Sequence, residues 1–247
     1  MSIRRGPLKP SFINTYSMKF DGVDDKIELG TQSLGLTGAI SVSAWVKIPT
    51  TNTGGGGTNI QVVACEDVTS TGRNWSMYWR GGGQDYFSFA VWHTDGSFTG
   101  INSTGIVPND GEWHHLLGTY DGTTSVNGLK LFVDGNVFQT TAVSSGVRSV
   151  TGVEPTIGSL SRGLNWFFEG NIDEVSIFNT DQSANVSTIY NSRIPNNLTD
   201  LSPLHWYRMG EDASFNGTNW TLVDQGSGGN NATSTNMDLI DRVEDTP

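Results

Sequence analysis

The sequence predicts an all-β protein built as an antiparallel two-sheet sandwich, with one short helix near residues 181–193. Three observations predict it. Apolar and polar residues alternate with a period of two through several short segments, the pattern of strands that bury at least one face. Asp-Gly and Asn-Gly pairs recur between them, at Asp21-Gly22, Asp95-Gly96, Asp110-Gly111, Asp121-Gly122, Asp134-Gly135, Asn127-Gly128 and Asn216-Gly217. Such pairs accept the positive φ that tight hairpin turns demand. Glycine is abundant, Lys, Glu and Ala are sparse, and Thr, Ser, Asn, Val and Trp are prominent, which favours strands and turns over helices. With 247 residues the chain is long enough to bury one large two-layer core without disulfides or metals.

Taken in order, residues 1–16 read as an N-terminal arm, in which Pro7 and Pro10 block regular pairing and Arg4, Arg5 and Lys9 oppose the charge of the rest. Residues 17–247 read as a single sandwich. Ala39 to Ile48 sets Val42, Ala44, Val46 and Ile48 on one face and Ser41, Ser43, Trp45 and Lys47 on the other. Tyr86 to Trp92 opposes Phe87, Phe89 and Val91 to Tyr86, Ser88, Ala90 and Trp92, and Leu129, Leu131 and Val133 alternate with Lys130 and Phe132. The glycine runs 54–57 and 81–83 read as loop tips. Neither is followed by the Lys-Ser/Thr and helix of a phosphate-binding loop. Val186, Ile189 and Tyr190 fall at helical spacing after Thr180 or Asp181 as N-cap, and Pro195 ends that helix.

Acidic residues outnumber basic ones by 25 to 14, a net charge of −11 that repels phosphate backbones and argues against a nucleic-acid partner. The same charge is compatible with calcium. Cys65 is the only cysteine, so no intrachain disulfide forms, and its apolar surroundings suggest a buried thiol. No apolar stretch follows the basic arm and no run of about eighteen apolar residues occurs, so neither a secretory leader nor a membrane span is expected. The expectation is synthesis and folding in a cytoplasm.

Several blocks resemble laminin-G-like jelly-roll domains of the concanavalin A-like lectin/glucanase class. Met18 to Leu29 looks like the opening Phe-Asp-Gly turn, acidic pair and alternating strand. Ala39 to Val46 is similar to the tryptophan strand. Trp113 to Leu116, Tyr120 to Gly122 and Leu131 to Gly135 look like the central hairpins, and Gly170 to Asn179 like the closing strand. The resemblance covers roughly residues 18 to 193 and implies a jelly roll; a fold of this kind hosts many functions. Residues 200–247 depart from the pattern. Leu204 to Glu211 and Asp224 to Thr233 look like a segment that normally opens such a domain, so this C-terminal segment either completes the sheet or reaches a neighbouring subunit.

The resemblance also implies a calcium ion where first and last strands meet, held by Asp173 with Asp21 and Asp24. An aromatic group, Trp75, Tyr78, Trp79, Tyr86 and Trp92, could form a carbohydrate platform, although Trp75, Met77 and Trp79 share one strand face, as core residues do. Catalysis is not expected. A retaining glycosidase needs two carboxylates about 5 Å apart, and in Glu169 to Glu174 the acids Asp173 and Glu174 are adjacent, hence expected on opposite faces of a strand. His93, His114, His115 and His205 form no zinc-like spacing, and Gly-x-Ser-x-Gly is absent.

A binding fold without leader or disulfides points to a virion surface protein, a phage capsid decoration or fibre module that binds host glycans, with other virion proteins and copies of itself as partners. Trp206 to Gly210 and the ending Asp241 to Pro247 resemble jelly-roll structural proteins of marine phages. A bacterial carbohydrate-binding or adhesion module is the alternative; a glycoside hydrolase is a further one.

Overall fold

Alternation of two kinds decides this architecture: side chains alternate across each strand, and strands pair antiparallel throughout. A computed structural model describes residues 12–247 except 31, 53–58, 68–71, 107, 144, 148–151 and 162–165. The glycine run 54–57 therefore lies outside the described residues. The first sheet contains β1 (Ser17–Asp21), β3 (Ile40–Lys47), β8 (Trp113–Tyr120), β9 (Leu129–Val133), β10 (Asn136–Thr141), β12 (Glu169–Phe178), β13 (His205–Tyr207) and β17 (Arg242–Val243). Its order is β10-β9-β8-β3-β12-β1-β17, with β13 pairing the far half of β12. The second contains β2 (Lys26–Glu28), β4 (Ile60–Asp67), β5 (Arg73–Arg80), β6 (Tyr86–Trp92), β7 (Phe98–Asn102), β11 (Thr156–Ile157), β14 (Ser214–Phe215), β15 (Trp220–Leu222) and β16 (Ala232–Thr235). There the order is β14-β15-β16-β2-β11-β4-β5-β6-β7.

The main core lies between the sheets. Val42, Ala44 and Val46 from one side meet Trp75, Met77, Trp79, Phe87 and Phe89 from the other, all essentially inaccessible to water. Gly118 on β8 is required by this contact, because a Cβ there would fall 2.3 Å from the Phe89 ring. A second apolar layer covers the outer face of the first sheet. Leu117, Phe132 and Phe178 pack there against Ile189, Leu198 and Trp206. The helix is shorter than the sequence predicts: α1 spans Val186–Tyr190, preceded by a single 3-10 turn at Ser183–Asn185. The Asp181 carboxylate accepts from the Ser183 amide at 2.8 Å, and Asn191 closes the helix in the left-handed conformation. Outside the second sheet, Val62, Cys65 and Leu160 form a small buried group, and burial raises the Cys65 thiol to about 11.

The C-terminal segment pairs with strands of its own chain. β13 joins β12, β16 joins β2 and β17 joins β1, so residues 205–243 contribute to both sheets. The described part of the arm also packs on its own chain. Phe12 stacks on Trp206 with ring centroids 6.0 Å apart, and the Arg208 guanidinium lies 4.0 Å from the Phe12 centroid. No helix among the described residues is long and apolar enough to cross a membrane.

Candidate ligand and cation sites

The acidic residues singled out in the sequence fall into two separate groups. At the rim, β1 ends in Asp21 and the chain turns through Gly22, whose φ of +78° a side chain would strain. Asp21 Oδ1 accepts the Val23 amide at 2.7 Å, and Asp25 Oδ2 accepts the Asp21 amide at 2.9 Å. These bonds gather Asp21, Asp24 and Asp25, whose carboxylate oxygens lie within 4.8 Å of one another. Asp25 is almost fully buried. Burial, and then the negative charge of Asp21, Asp241 and Asp24, raises its carboxyl to about 7.

Asp173 does not join this turn. In the β1–β12 register Asp21 faces Glu169, which places Asp173 four residues away, about 13 Å along the strand. Asp173 belongs instead with Glu174 and Glu211. The pairing of β12 with β3 slips between Asp173 and Ser176, and Glu174 has φ +48°. This β-bulge corrects the expectation that adjacent acids occupy opposite faces. Ile172 and Val175 both enter the core, while the two carboxylates between them emerge together.

The bulge pair is enclosed. Asp173 Oδ2 accepts from Asn14 Nδ2 at 2.8 Å, and Glu174 accepts from Trp206 Nε1 at 2.7 Å and Arg208 Nε at 3.0 Å. Glu211 Oε1 accepts the amides of Thr15 and Tyr16 from the arm. Burial, opposed by Arg208, pushes Glu174 up to about 7; burial and the neighbouring Glu174 charge raise Asp173 well above the carboxylate range.

The aromatic platform is divided by strand parity. Trp75 and Trp79 point into the core and are fully buried, Trp75 Nε1 donating to Glu66 Oε2. They therefore leave the candidate binding surface. Tyr78, Tyr86 and Trp92 project from the opposite face; Trp92 lies under Arg73 at 4.1 Å and stacks on Phe98. His114 and His115, adjacent on β8, diverge. His114 sits between Asp134 and Asp110, whose carboxylates outweigh burial and raise it, whereas burial pulls His115 down to about 3. The groups of three or more potential ligand side chains among the described residues contain no histidine.

Beside the acidic turn a cleft of about 490 Å³ opens at the rim, and sequence reasoning did not single it out. Lys19, Asp21, Lys47, Glu169, Asn171 and Asp245 line it. Asp245 is fixed there by Lys47 Nζ at 3.0 Å, Trp113 Nε1 at 3.0 Å and Asn171 Nδ2 at 3.3 Å. These residues come from β1, β3, β12 and the C-terminal end of the chain, a convergence that spacing along the sequence does not reveal. The resulting mixture of cations, carboxylates and an amide offers both donors and acceptors at one opening.

A rim cleft on a two-sheet jelly roll defines a lectin-like binding architecture. The model of the laminin G type within the concanavalin A-like lectin/glucanases superfamily matches residues 21–185, well over half of the chain, and the chain belongs to this family. Among solved structures, the fold is similar to a "putative carbohydrate binding protein" of Bacteroides ovatus, with a TM-score of 0.66 and 14% identity. That match covers 95% of this chain and 60% of the other. It is also similar to a heptameric SAP-like pentraxin of Limulus polyphemus, with a TM-score of 0.52 and 14% identity over 75% of this chain and 88% of the other. No curated protein sequence matches the chain.

Proposed function

We propose that the chain is a non-catalytic, glycan-binding module that uses the rim cleft. The observation that carries this reading is the lining of that cleft. Lys19, Lys47, Asn171 and the carboxylates of Asp21 and Glu169 can donate to and accept from sugar hydroxyls around one opening. The likeness of the fold to the Bacteroides ovatus protein supports it. The enclosure of Asp173 and Glu174 supports the absence of catalysis: both carboxylates are held by Asn14, Trp206 and Arg208 and neither lines the cleft.

Calcium belongs to the same proposal with an altered ligand set. Asp21, Asp24 and Asp25 would hold it, since their close carboxylate oxygens can concentrate negative charge that a hard cation relieves. A glycan array probed with and without chelator tests the reading, together with a Lys47→Ala, Glu169→Ala variant. Sugar signal lost in that variant supports it, and absence of signal in both conditions removes it.

The site of action proposed is a virion surface, where the module assembles with copies of itself and with other virion proteins. Mass spectrometry of purified particles tests this. Detection of the chain in stoichiometric amount supports the placement; its presence only in the lysate rejects it.

A further inference from the structure

A second opening, of about 560 Å³, lies where Leu29, Gly30 and Gln32 to Leu34 face Leu204, His205 and loop 228–231. All of its second wall belongs to residues beyond the segment that the family model matches. Apart from the His205 imidazole, none of its lining residues is ionisable. Its polar groups are the amides of Gln32, Asn230 and Asn231 and the hydroxyl of Ser33, set beside leucine side chains. This chemistry suits a neutral polyhydroxylated ligand, whose hydroxyls need donors and acceptors and whose C–H faces need apolar contact.

Both walls are held in place by buried carboxylates. On one side Glu66, fully buried, accepts from Ser33 Oγ and from the Leu34 amide at 2.9 Å, and its other oxygen accepts from Asn74 Nδ2 at 2.8 Å. On the other side Asp224 accepts the amides of Trp206, Gly226 and Asn230, the last at 3.0 Å. Its Oδ2 also accepts from His205 Nδ1 at 2.7 Å. A buried carboxylate is costly unless every bond is made. Here two of them fix opposite loops around one opening, which is the preorganisation a binding site requires.

The Asp224 bond also fixes the imidazole. With Nδ1–H committed to the carboxylate, Nε2 is the ring nitrogen left to bond a ligand. Gly228 closes against this ring so tightly that a Cβ would fall 2.3 Å from His205 Cε1. The loop thus seats on the histidine only because residue 228 has no side chain.

We infer that this opening is a second, independent binding site for a neutral saccharide, with His205 Nε2 hydrogen-bonded to a sugar hydroxyl and Gln32 and Asn230 contacting it from the two walls. It stands apart from the rim cleft, shares no lining residue with it, and extends binding to the C-terminal segment.

NMR of the full-length chain, titrated with neutral gluco-, galacto- and manno-oligosaccharides, tests it. The expected result is a saturable shift of the His205 ring signals and of the Gly228, Gly229 and Ser33 amides. Replacing the exposed Gln32→Ala and Asn230→Ala together weakens that binding by about tenfold or more while leaving the remaining spectrum intact. His205→Gln abolishes it; should that variant fail to fold, the double variant still decides. Shifts confined to Lys19, Lys47 and Glu169 overturn this site and leave the rim cleft standing. Saturable binding untouched by the double variant, or no saturable shift with any of the three series, also overturns it.

Discussion

The turn at Asp21 to Asp25 and the bulge at Asp173 and Glu174 are both clusters of carboxylates, yet they differ in what surrounds them. At the turn, Asp21 and Asp24 face water and most of their partners are local amides. At the bulge, the partners arrive from far along the chain: Asn14 from the arm and Trp206, Arg208 and Glu211 from the C-terminal segment. The first arrangement leaves charge available to a ligand. The second consumes it in holding three parts of the chain together. Acidic clusters of similar composition can therefore serve binding or assembly, and the origin of their partners distinguishes the two.

The largest expected effect breaks the bulge. Arg208→Ala leaves Glu174 buried without its cation, and loss of one partner from a buried pair costs roughly 3–5 kcal/mol. Urea denaturation should show the midpoint falling by the corresponding amount. If the loss is no greater than that of an exposed pair, the enclosed reading of this cluster is wrong.

A pH series sharpens the same contrast. The folded protein raises Glu174 from its ordinary 4.5 to about 7, so between these values it retains a proton that the unfolded chain releases. Stability contributed by this group is greatest below the ordinary value and declines as pH rises to about 7. Asp173, also raised, acts in the same direction. Glu174→Gln should flatten that part of the profile measured by thermal unfolding. A stability that instead increases with pH across the window, and is unchanged by the substitution, contradicts the assignment.

Calcium should act on the turn alone. Saturating calcium should raise Tm through preferential binding to the folded state. The increment disappears in Asp21→Asn, Asp24→Asn and survives in Arg208→Ala if that variant folds. The smallest effect is the same double substitution without calcium: exposed carboxylates in a turn change stability by about 0.5 kcal/mol or less. A larger loss would assign the turn a structural role.

Much of the sandwich was legible because burial follows strand parity. Tyr86–Trp92 and Leu129–Val133 begin and end as the alternation predicts, and the parity of Trp75 and Trp79 already placed them with Met77. The bulge was not legible. Whether two neighbouring acids share a face depends on how β12 pairs with β3, and glutamate carries no preference for positive φ that would announce the slip. The calcium pairing of Asp21 with Asp173 missed for a related reason, since it required the register of β1 against β12, which put Glu169 there instead. Asp25 lay in the Val23-Asp24-Asp25 turn, but nothing local distinguished the buried acid from the exposed one. The rim cleft and the His205 pocket draw their walls from segments distant in sequence, so only the folded topology could assemble them.

The closing segment also dictates an order of events during synthesis. β1 and β2 leave the ribosome well before their partners β17 and β16, which lie more than 200 residues further along the chain. Until then two strand edges stand open and Glu174 lacks both Trp206 and Arg208. Such late, long-range pairing makes for slow maturation and exposes nascent chains to edge-to-edge association. A product interrupted before His205 should accordingly accumulate as aggregate instead of as a smaller working module.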